Sequence, residues 1–148
     1  VLITDLANSG AAPALEQMMR FAAQRQRLLS HNIANIDTPN FQTTDVSPSA
    51  FQSQLKAAID RRRDATGGEH GSLQLGSSEQ VGTDAAGNLV LTPSSAAGSG
   101  NILYHDRNDR DLERMMQGLA ENTMSFRVAS DLYRRHQDIL KAAIAQRV

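Results

Sequence analysis

Residues 112–148 read LERMMQGLAENTMSFRVASDLYRRHQDILKAAIAQRV, and within them Leu112, Leu119, Phe126, Tyr133 and Leu140 recur every seven residues. Met115, Met116, Leu132, Ile139, Ala143 and Ile144 widen the stripe, and no proline interrupts it. A seven-residue step sustained this far belongs to a helix that lies along other helices. As one helix the stretch would reach about 55 Å. Just upstream, Asn108 is a suitable cap, and Asp109, Asp111 and Glu113 suit a first turn, where the helix dipole favours acids. Gly118 costs about 1 kcal/mol relative to alanine inside a helix, and its missing side chain allows a neighbour to come close.

The opposite end of the chain offers the partner. Pro13 suits a first helical turn, and Leu15, Met18, Met19, Ala22, Leu29, Ile33 and Ile36 follow at helical steps. The helix stops at Asp37-Thr38-Pro39-Asn40, because Pro39 disfavours helical geometry at Thr38 and asparagine tolerates the positive φ of a turn. Ser47 and Pro48 then open a shorter helix with Phe51, Leu55, Ala58 and Ile59 on one face. Arg61-Arg62-Arg63 lie near its end, where cations complement the carbonyl end of the dipole.

Between these helices the composition changes. Residues 67–100 hold eight of the ten glycines and no aromatic ring. Short apolar runs at Leu73/Leu75 and Leu89-Val90-Leu91, with Gly87-Asn88 as turn chemistry, fit either a small β-hairpin or a mobile loop. The expected fold is therefore mainly α, with long N- and C-terminal helices paired as an elongated hairpin, a short third helix and a loose or hairpin-like insert. The corresponding segments are 1–46, 47–66, 67–103 and 104–148, the two terminal ones forming one packing unit.

Composition removes several function classes. With 15 Lys+Arg against 16 Asp+Glu the net charge is −1, and three adjacent arginines without interleaved aromatics do not make a nucleic-acid surface. Zero cysteines exclude disulfides, thiolate catalysis and cysteine-ligated metals. The apolar runs are too short for a membrane-spanning helix, and Val1-Leu2-Ile3-Thr4-Asp5 lacks the basic region and long apolar run of a cleavable export signal. His31, His70, His105 and His136 are scattered without ligand spacing, and no P-loop, dinucleotide fingerprint or nucleophile elbow occurs. No enzyme, cofactor or metal is expected. A hydrolase built on His70 lacks a second ligand nearby; a small helical adaptor that binds one partner through its C-terminal stripe is the rival from another class.

Two slender helices leave apolar surface uncovered, at roughly 1.5–3 kcal/mol for each large side chain that could be buried. The chain thus reads as one built to assemble. Its most specific string, Asn32-Ile33-Ala34-Asn35-Ile36-Asp37-Thr38-Pro39-Asn40-Phe41, resembles the N-terminal signature of the bacterial flagellar rod and hook axial proteins, N-I-A-N-x-x-T-P-G-Y. Asn40 stands for the usual glycine and Phe41 for the usual tyrosine. Asn108-Asp109-Arg110-Asp111-Leu112-Glu113 is similar to the family's N-x-V-D-L-E, and the short length with a single insert is similar to its two short proximal-rod types.

The resemblance implies a structural subunit of the basal-body rod in the periplasm, exported by the flagellar type III apparatus without a cleaved signal. It implies a hollow helical polymer that transmits torque, with contacts to its own copies, to other rod proteins and to the membrane-ring adaptor at the rod base. The candidate subunit-interface residues are Leu15, Met19, Leu29, Asn32, Ile33, Ala34, Asn35, Ile36, Thr38, Pro39 and Phe41 at one end. At the other they are Leu112, Met116, Leu119, Phe126, Tyr133 and Leu140.

Overall fold

The computed structural model describes residues 9–68, 70–95 and 111–145. Helix α1 (Ala12–Ala34) is followed by strand β1 (Thr44–Asp45) and helix α2 (Pro48–Thr66). Strands β2 (Val81–Thr83), β3 (Leu89–Leu91) and β4 (Ser94–Ser95) then lead to helix α3 (Leu112–Ala145). The mainly helical class and the long C-terminal helix are as expected from the periodicity.

Local chemistry explains the ends. Ser47 Oγ accepts the Ala50 N–H at 3.2 Å, and α2 closes on Gly67, whose φ of 71° is the left-handed conformation glycine adopts freely. At the start of α3 the cap is Asp111, whose Oδ1 accepts the Arg114 N–H at 3.0 Å. The cap expected from the sequence, Asn108, lies outside the described residues, as do Asp109 and residues 96–100.

The middle of the chain takes the hairpin form. Strands β2 and β3 pair antiparallel with Val81 opposite Leu91 and Thr83 opposite Leu89. The first strand is thus Val81–Thr83, not the Leu73/Leu75 alternation. Asp84 builds the connecting turn: Oδ1 accepts the N–H groups of Ala86 and Asn88, and Oδ2 accepts the Asn88 side-chain amide at 3.0 Å. β1 pairs antiparallel with β4, Thr44 opposite Ser95 and Asp45 opposite Ser94.

An apolar cluster lies beside the α1–α3 seam, where Ala22, Leu29, Met115 and Ala129 are themselves buried. It comprises Phe21 of α1, Val46, then Phe51, Leu55 and Ala58 of α2, and Leu75, Val81 and Leu89 of the middle segment. The rings of Phe21 and Phe51 stack with centroids 4.1 Å apart. Gln24 donates to Leu89 O at 2.7 Å, tying the hairpin to α1. Helix α3 contributes no residue to this cluster among the described residues. It packs instead on an adjoining face of α1, antiparallel: Asn122 meets Ala22 and Gln26, Gly118 approaches Leu29, and His136 lies beside Gly10.

Candidate assembly surface

The Asn32–Phe41 string is a docked turn. Thr38 O accepts the Phe41 N–H at 3.2 Å, Pro39 takes the second turn position, and Asn40 the third, with φ of 61°. Proline followed by a positive-φ residue is the chemistry of a type II turn. Beyond it the chain doubles back along α1. Asn32, 2% exposed, holds the returning backbone at both groups: its Nδ2 donates to Thr44 O at 2.7 Å and its Oδ1 accepts the Thr44 N–H at 3.2 Å. One heptad earlier on α1, buried Arg25 grips the Asp45 carboxylate with Nε at 2.9 Å and a terminal nitrogen at 2.7 Å. The turn itself protrudes. Phe41 stands edge-on to the His31 ring, at a centroid distance of 5.7 Å.

Helix α3 begins beside the returning segment at Thr43 and Asp45. A cleft of about 370 Å³ opens between the last turns of α1, β1 and the first turns of α3, lined by Leu29, Asn32, Thr43, Asp45, Met115 and Gly118 among others. Farther along, α3 buries only Met115, Asn122 and Ala129. Among the described residues, eight of the nine exposed large apolar side chains sit on this one helix. Leu112, Met116 and Phe126 form a shoulder beside the seam with α1. Met124, Val128 and Leu132, four residues apart, continue to Ile139 on the side turned away, with Met124 at 69% and Ile139 at 67% exposure.

The residues expected at a subunit interface therefore divide. Leu112, Met116, Phe126, Ala34, Thr38 and Pro39 are exposed, whereas Leu119, Tyr133, Leu140, Met19, Ile33, Asn35, Ile36 and Phe41 are half-buried. Leu15, Leu29 and Asn32 are covered by the chain's own elements, so what they hold together is the subunit itself. Sequence reading missed Arg25, Arg62 and Asn122, because hydropathy patterning assigns polar residues to the outside. Arg62, taken from the sequence as a dipole complement, is buried and donates to Gly10 O at 2.7 Å and His70 O at 3.2 Å.

Among the described residues no three His, Asp or Glu side chains converge where a metal ion could bind, and no helix is long and apolar enough to cross a membrane. No protein-family model matches the chain. Individual relatives do match. It is 32% identical over 120 residues to the flagellar basal body rod protein FlgB of Salmonella typhimurium, covering 76% of this chain and 77% of that one. The FlgB protein of Escherichia coli is 32% identical over 117 residues, covering 77% and 78% of the two chains, and that of Borrelia hermsii is 31% identical over 113 residues, covering 76% and 78%. All three relatives carry the name FlgB.

Proposed function

This chain belongs to the FlgB family of flagellar basal body rod proteins, and on that premise we propose that the outward sides of α3 are the surface through which it polymerises into the proximal rod. The carrying observation is the concentration of exposed Leu, Ile, Val, Met and Phe side chains on that helix. Each such side chain gains roughly 1.5–3 kcal/mol when covered, and contacts between unlike faces of successive copies build an open helix instead of a closed dimer. Exposed Met116 and Met124 suit neighbours that are not identical, because the thioether side chain adapts its shape.

In this reading the subunit does mechanical work. It stands in the periplasmic rod, transmits torque, leaves a central export channel, and meets its own copies, other rod proteins and the membrane-ring adaptor. It reaches that place through the flagellar type III apparatus without a cleaved signal. The protruding Thr38–Phe41 turn is the second contact point.

Phe126→Asp and Ile139→Asp test this. Both leave the fold of the isolated subunit intact by circular dichroism, because Phe126 and Ile139 stand outside the core cluster. Both are expected to abolish swimming and to be missing from purified basal bodies. A Phe126→Asp or Ile139→Asp protein recovered in rods of motile cells would overturn the assignment.

A further inference from the structure

The seam between α1 and α3 has little shape of its own. From α3 it buries Met115, Asn122 and Ala129, seven residues apart, of which one is flexible and one small. Apolar packing of this kind is nearly periodic, so sliding one helix by a heptad leaves similar side chains facing each other. Asn122 breaks that period. It is 4% exposed, and its side-chain nitrogen donates to Ala22 O at 2.8 Å and to Gln26 Oε1 at 2.9 Å. A seven-residue slide would carry it from the level of Ala22 to that of Leu15 or Leu29, both buried. The backbone carbonyl of either can take the place of Ala22 O, but Met19 or Ile33 would then stand where Gln26 stood, and neither side chain has an oxygen to accept the second amide N–H. A buried donor stripped of its acceptor is penalised far more than a made bond is rewarded.

We propose that Asn122, acting with Gln26, sets the register of the α1–α3 pair, selecting one alignment from those a heptad apart. Register in turn decides which α3 side chains remain outside. That last consequence rests on the assembly reading above, whereas the register itself does not.

The absence of cysteine makes the test clean. Spin labels at Ser30→Cys and Arg135→Cys, both exposed and well separated along the pair, report the alignment by pulsed electron spin resonance. With Asn122 present one distance population is expected. Asn122→Leu is expected to add a second, displaced by about 10 Å and enriched about tenfold or more. Gln26→Leu, which removes the acceptor that distinguishes the alignments, is expected to add one of comparable size. Asn122→Ala must reproduce the second population without the bulk of leucine.

A single unshifted population in folded Asn122→Leu and Asn122→Ala, whatever their thermal stability, overturns the proposal. So does loss of helical circular dichroism in both, because a residue that selects among alignments is not one whose removal abolishes the helices. Swimming assays on the same variants separate the two readings. Shifted register with normal rods sinks the assembly surface and leaves the register role standing; unshifted register with lost swimming does the reverse.

Discussion

Asn40 occupies a left-handed position that glycine fills in the signature its surroundings resemble. Asparagine tolerates that conformation and a β-branched residue does not. Asn40→Gly is therefore expected to stay within about 0.5 kcal/mol of the parent in urea unfolding, and Asn40→Val to lose about 1–2 kcal/mol. Gly118 is the converse case. A methyl group there would stand 3.8 Å from Leu29 Cδ2 and 3.9 Å from an Arg25 nitrogen, ordinary contact distances, so this helix pair does not require its smallness. Gly118→Ala should raise stability by about 0.5–1 kcal/mol in the same assay, and a loss would show that the seam is tighter than those distances. At this scale the turn was legible, since Pro39 and Asn40 act through backbone preferences that neighbours hardly alter. Arg25, Arg62 and Asn122 were not: each is buried because of a partner distant in sequence, and nothing local announces it.

The hairpin illustrates the same division one level up. Its turn chemistry at Gly87-Asn88 is visible in the chain, but β2 and β3 are three residues each, and Leu75, Val81 and Leu89 are too far apart to form a periodic pattern. Their joint burial comes from Phe21 and Phe51 meeting across α1 and α2. Leu89→Ala, removing a side chain 3% exposed, is expected to cost about 2–5 kcal/mol in urea unfolding. The turn also carries a pH dependence. Hydrogen bonds from the Asn88 side chain and backbone hold the Asp84 carboxyl below its ordinary value of 3.8. A depressed folded value means the turn's contribution is complete above 3.8 and is lost as pH falls through the lowered value. The Asn88 amide should therefore keep its chemical shift at pH 5 and move only in strong acid, and in Asp84→Ala it should show the acid-like environment at every pH.

Across the whole molecule, periodicity predicted two long helices that pair, and they do. It did not reveal the apolar cluster that lies on an adjoining face of α1, shared with α2 and the hairpin. The reason is that α1 has two working faces, and Phe21 lies off the stripe that periodicity picks out. Helix α3 thus rests chiefly on α1, and Lys141–Ala145 at its end are exposed throughout. Amide hydrogen exchange in the isolated subunit should be slowest in α1 and α2 and about a hundredfold faster over the last turns of α3, with uniform protection speaking against this picture. Such an arrangement has a mechanical corollary. A strut fastened along one flank of a separately cemented block takes a lengthwise load in shear, at the carboxamide of Asn122 and the small residues around it. It can yield there by a step and reseat without the block behind it melting.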